Sequence, residues 1–150
     1  MTVRVIECLA SLSVLSTLIV AQPALAGDVP ASADAAYAEM AKMMGGVPTF
    51  VKAFPKGAIA GAWAEVRDLQ LSDKTALDAK TKALISLAVS AQIPCTYCIY
   101  EDTLDARHAG ATNQEIQEAV ALSALTRHWS TVLNGMQVDM ATFKKEIGGQ

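Results

Sequence analysis

Apolar residues recur along this chain at spacings of three and four, and no stretch alternates with period two for long enough to make a strand. The pattern predicts helices separated by short breaks. Residues 33–44 are rich in Ala and Met, with Ser32 or Asp34 to open a helix and Gly45-Gly46 to close it. Phe50, Val51 and Phe54 predict a short buried turn before Pro55. Ile59, Trp63 and Val66, continued by Leu69-Gln70-Leu71, give one apolar side to a helix over 59–71. Asp73 or Asp78 can open the next helix. Its apolar positions Leu77, Leu84, Ile85, Leu87, Ala88 and Val89 imply burial on more than one face. Pro94 interrupts, and a helix over about 95–109 stops at Gly110. Thr112 and Glu115 have the spacing of a capping box. The helix they open carries Ile116, Ala119, Val120, Ser123 and Ala124, and runs to Leu133 before Asn134-Gly135. A last amphipathic segment reaches Ile147, so the fold class is all-α.

The start of the chain follows a different pattern. Arg4 is followed by an apolar run from Leu9 to Val20, and Ala24 and Ala26 form an A-x-A site. These are the marks of a secretory signal peptide over residues 1–26, with cleavage expected between Ala26 and Gly27. The run is shorter than the roughly 20 residues of a membrane-spanning helix. The expected mature protein is periplasmic or secreted and carries no membrane segment.

Composition narrows the class. With 52% hydrophobic and 18% charged residues in 150, the chain has ample material for a packed core and is not of the disordered type. The net charge is −3, and it stays there after cleavage because Arg4 and Glu7 leave together. No basic block suggests a nucleic-acid partner.

Cys8 also leaves with the leader, so the mature chain keeps Cys95 and Cys98, in Cys95-Thr96-Tyr97-Cys98. Such a pair can be half of a zinc site, a structural staple or a redox couple. Zinc needs three or four ligands, and the nitrogen ligands at hand, His108 and His128, have no familiar spacing to the pair. Neither a metal nor another cofactor is expected. A staple across two residues closes so small a loop that chain entropy gives it the least stabilisation. Redox chemistry has a physical basis. Cys95 falls at the first turn of a helix, where free amides and the dipole stabilise a thiolate, and export provides an oxidising compartment.

Other residues are candidates for proton transfer. Asp102 lies one turn after Cys98, on the same side of the helix. Ionised, it would raise the Cys98 pKa; neutral, it can pass a proton. Glu101 and Asp102 also suit an acidic first turn with no further role. His128, in Arg127-His128-Trp129, can serve as a base if its helix returns to the cysteines. The alternative has Trp129 in the core, Arg127 in a surface ion pair and His128 without chemistry. His108 suits a helix C-terminus, Met40, Met43 and Met44 suit adaptable packing at a subunit contact, and Lys80 and Lys82 are expected in solvent.

The stretch Ala79-Lys80-Thr81-Lys82-Ala83-Leu84-Ile85-Ser86-Leu87-Ala88-Val89-Ser90, the cysteine pair with Ile99-Tyr100, and Ala109-Gly110-Ala111-Thr112-Asn113-Gln114-Glu115-Ile116 together resemble the carboxymuconolactone decarboxylase/alkylhydroperoxidase D family. The resemblance covers about residues 55–145. It implies a helical bundle with the Cys-x-x-Cys at a helix start, as a carboxymuconolactone decarboxylase-like domain over 55–147 preceded by a helical extension over 27–54. It also implies a homo-oligomer, trimer or hexamer, and a thiol peroxidase cycle. In that cycle Cys98 attacks a small peroxide or a disulfide, Cys95 resolves the product, and a thiol protein or small thiol supplies electrons. Helix position by itself favours Cys95 as the lower-pKa thiol. The family's relay residues are replaced: its glutamate position is Ala83, and its two histidine positions are Tyr97 and Asp102. That loss favours a competing reading, a non-enzymatic helical oligomer with a fixed disulfide. A lactone decarboxylase is the least favoured reading, since the family's decarboxylases generally work without a cysteine pair.

Overall fold

A computed structural model describes residues 27–148, so the expected leader and its cleavage site lie outside the described residues, apart from Gly27. Among the described residues the regular structure is helical throughout: α1 (Ala33–Met44), α2 (Ile59–Glu65), α3 (Ala79–Gln92), α4 (Thr96–His108), α5 (Asn113–Gly135) and α6 (Met140–Glu146). Local chemistry sets the starts. Ser32 accepts the Ala35 amide at 3.1 Å, Asp78 the Thr81 amide at 2.7 Å and Asp139 the Thr142 amide at 2.9 Å. Each satisfies a donor that the first turn leaves unpaired. At α5 the capping box is complete: Thr112 Oγ1 accepts from Glu115 N–H at 3.1 Å, and Glu115 accepts from Thr112 N–H at 2.7 Å.

The helix expected over 59–71 is interrupted. After Glu65 the chain widens into a π-helical turn, Val66–Gln70, closed by Leu71 N–H to the Val66 carbonyl at 2.9 Å. Arg67 and Asp68 pair within this turn, although neighbours one apart do not face each other on a regular helix. Val51–Ala53 forms a short 3₁₀ turn. Only Val51 of the expected apolar trio packs on the core there; Phe50 is 70% exposed and Phe54 is exposed as well.

Packing has two centres. Ala36 and Met40 of α1 meet Ile59 and Trp63 of α2, and the Trp63 indole donates to Glu39 at 2.9 Å. Separately, α4 and α5 both pack on α3, which buries Ala83, Leu87 and Ser90, while α4 buries Asp102 and Ala106. Burial of α3 on further faces is not met within one chain, because Ile85 and Val89 are about half exposed. Met43 and Met44 are exposed too. Lys80 and Lys82, expected in solvent, are engaged instead. The Lys80 ammonium donates to Glu115 at 2.8 Å and the Lys82 ammonium to the Ser72 carbonyl at 2.6 Å, so both tie α3 to its neighbours in the chain.

Candidate active site

The cysteine pair sits where α3 gives way to α4. Ile93 caps α3 and Pro94 prevents its continuation, while the Cys95 amide donates back to the Ser90 carbonyl at 3.1 Å. Cys95 is extended and forms the N-cap of α4, and its sulfur accepts the Cys98 amide at 3.2 Å. The two cysteines are disulfide-bonded, with Cα atoms 5.3 Å apart. Both are half-buried, and Tyr97 between them is 89% exposed. A disulfide at this position is open to solution reactants.

One turn further, Asp102 is 8% exposed and faces α3, where Ser90 is 2% exposed. Burial pushes the Asp102 carboxyl above its ordinary value; the Ser90 hydroxyl beside it pulls the other way, and Asp105 pushes up again. Glu101 is raised as well, first by burial and then by Asp105 and Asp102. The Ser90 hydroxyl also lies 3.0 Å from the Leu87 carbonyl. Asp102 is thus a buried acid held above its ordinary carboxylate value, and it shares the Cys98 side of α4. Ala83, at the family's glutamate position, is buried on α3, and Tyr97, at a histidine position, points to solvent.

His128 makes no hydrogen bond with the pair. It is exposed on α5 and meets Trp129 edge-on with ring centroids 5.5 Å apart. The reason is topological: α4 and α5 pack on α3 without extensive packing on each other. Trp129 is 52% exposed and so is not core, and Arg127 donates to Gln92 at 2.9 Å instead of forming an ion pair. His108 lies in the last turn of α4. Ser90 escaped sequence reasoning, although it continues the buried positions Ala83 and Leu87 at helical spacing. Gln92, which donates to Ser123 at 3.3 Å and accepts from Arg127, carried no signal in the sequence. Among the described residues no three His, Cys, Asp or Glu side chains are grouped to hold a metal. No described helix is long and apolar enough to cross a membrane.

The sequence profile described as Carboxymuconolactone decarboxylase family matches residues 57–139, more than half of the chain. The chain belongs to the carboxymuconolactone decarboxylase family. Within this family it is similar in structure to the alkylhydroperoxidase AhpD core from Rhodospirillum rubrum, with a TM-score of 0.62 and 26% identity over 74% of this chain and 85% of that one. It is also similar to "Uncharacterized protein 4 in cox locus" from Paracoccus denitrificans, at 44% identity over 52 residues. That match takes in 35% of this chain and 47% of the relative, so the chain spans about half the length of this curated relative. The all-helical fold matches that of the AhpD core, and in this chain the cysteine pair stands at a helix start.

Proposed function

We propose that this protein is an exported thiol oxidoreductase that reduces peroxides or disulfides through a Cys95/Cys98 dithiol–disulfide cycle. The observation that carries the reading is the double role of Cys95 as disulfide partner and N-cap of α4, its sulfur accepting the Cys98 amide. In the reduced protein that amide and the helix dipole favour a thiolate on Cys95. Cys98 attacks the outer oxygen of a hydroperoxide, the O–O bond breaks, an alcohol leaves with one proton, and Cys98 becomes a sulfenic acid. The Cys95 thiolate attacks that sulfur, forms the disulfide and expels hydroxide, which leaves as water by taking the proton that the Cys98 thiol released on attack. A thiol donor then attacks Cys98, because the better-stabilised thiolate, Cys95, is the better leaving group, and a second thiol of the donor completes the reduction. Asp102, one turn from Cys98 and with its carboxyl raised by burial, is the acid that passes a proton to the departing alkoxide.

The protein acts as a homo-oligomer. The reading is supported by an open apolar groove of about 450 Å³ between α3 and α5, lined by Ile85, Ala88, Leu122 and their neighbours. The test is peroxide-dependent thiol loss. Protein reduced with dithiothreitol should lose two thiols on mixing with an organic hydroperoxide and turn over when dithiol is in excess, and Cys98→Ser should abolish both. A pair that strong dithiol cannot open, or reduced protein that leaves the hydroperoxide intact, would establish the fixed disulfide instead.

A further inference from the structure

Gly27, the residue after the expected cleavage point, is exposed but held in place. It lies beside the Asp68 carboxylate of the π-helical turn: a Cβ built on it would stand 3.7 Å from Asp68 Oδ1. Arg67 encloses the same spot. It donates to Asp68 at 2.6 and 2.8 Å, to Glu39 of α1 at 2.9 Å and to the Asp28 carbonyl at 3.2 Å. A Cβ on Gly27 would stand 3.0 Å from a terminal nitrogen of that guanidinium. The guanidinium is tethered on three sides, so the position fits glycine best. Gly27 and Val29 also line, with Glu65 and Asp68, a cavity of about 570 Å³.

The charges around Gly27 are unbalanced. Glu39 from α1 and Asp68 from the π turn face one guanidinium, Arg67, while Glu65 from α2 lines the same cavity as Gly27 and Asp68. One more cation would balance the Glu39–Arg67–Asp68 group.

We propose that the α-ammonium created on Gly27 by leader removal is that cation, and that Asp68 is its docking site. The inference rests on the cleavage reading and is independent of the thiol chemistry. In the cleavage step a leader peptidase adds water across the Ala26–Gly27 amide. The carboxylate stays on Ala26, and the nitrogen stays on Gly27 and takes a proton. A neutral amide with one N–H becomes an ammonium with three, on a residue that already lies beside a carboxylate. Charge-assisted bonds of this kind are roughly twice as strong as neutral ones. Processing therefore tightens the junction of α1, α2 and the π turn.

The test uses protein exported and processed by the host from the full-length gene. Intact mass and the N-terminal peptide identify the first residue. An amine-reactive ester at about pH 7, near the ordinary range of an α-amino group, then labels Gly27, and peptide mass spectrometry reads the rate. We expect Gly27 first, labelling about tenfold slower than in the unfolded chain, as one unit of raised pKa requires. Asp68→Asn should restore the fast rate, and Asp28→Asn should not. Melting supplies a check that needs no variant. A raised amine pKa gives stability that is present below the unfolded value and lost as pH rises through the folded one, so native protein should lose thermal stability between about pH 7 and about pH 10, and protein acetylated at Gly27 should lose less. A chain beginning elsewhere overturns the proposal at the processing step. A chain beginning at Gly27 that labels at the unfolded rate, or equally with and without Asp68, overturns the docking.

Discussion

Burial makes Asp102 resist ionisation, and its neighbours decide by how much. Ser90 favours the carboxylate and Asp105 opposes it. A carboxyl raised in the folded state gives its full stabilisation below the ordinary carboxylate range and loses it as pH climbs through the folded value. Asp102→Asn stays neutral throughout. It should therefore gain on the wild type in melting temperature as pH rises from about 4 to about 8, as followed by circular dichroism. The same variant should lower peroxide turnover by about 10²-fold, the scale of a lost general acid, and flatten its pH profile. His128→Ala should change turnover by less than about 2-fold, far below that scale, when assayed with the same hydroperoxide. The relation of Asp102 to Cys98 was legible in the sequence because a turn of helix fixes it. Its partner Ser90 was not, because that depends on how α3 and α4 align. His128 was harder still: which helices share a face is decided by the whole bundle.

At the level of elements, α5 is anchored at its first turn from two directions. Thr112 completes the capping box, and Lys80 reaches across from α3 to Glu115. The Lys80 ammonium first, then the Thr112 amide and hydroxyl, hold the Glu115 carboxyl down to about 2. A depressed acid stabilises at pH above its unfolded value and loses that contribution as pH falls toward the folded one. Acid melts should therefore show a loss between the ordinary glutamate range and about 2 that Glu115→Gln lacks. Thr112→Ala should cost about 1 kcal/mol, read as a lower melting temperature near neutral pH. Caps of this kind are readable from sequence because donor and acceptor lie three residues apart. The π turn at Val66–Gln70 is not, since its Arg67 answers to Glu39, far away on α1.

The isolated chain leaves an apolar strip uncovered where α3 meets α5. Ile85, Val89, Leu122, Leu125 and Trp129 are all about half exposed or more. Helical periodicity foretold more burial on α3 than one chain provides, and a second copy is what would supply it. Light scattering at micromolar protein should give a mass well above the monomer. Leu122→Glu should lower that mass toward the monomer and shift Trp129 fluorescence to longer wavelength. A monomeric wild type would mean that the strip stays open in solution.

The sulfur of Cys95 couples electrons to a helix. It is half of the disulfide and, at the same time, the acceptor for an amide in the first turn of α4. Under the proposed cycle, a Cys95 thiolate in the reduced protein would stand at the positive end of the helix, an arrangement worth about 0.3–1 kcal/mol. In a two-electron couple that raises the reduction potential by about 6–20 mV. The couple can therefore be tuned from a distance. A change that frays the start of α4, with both cysteines untouched, should make the protein a weaker oxidant, and one that firms the helix should make it a stronger one.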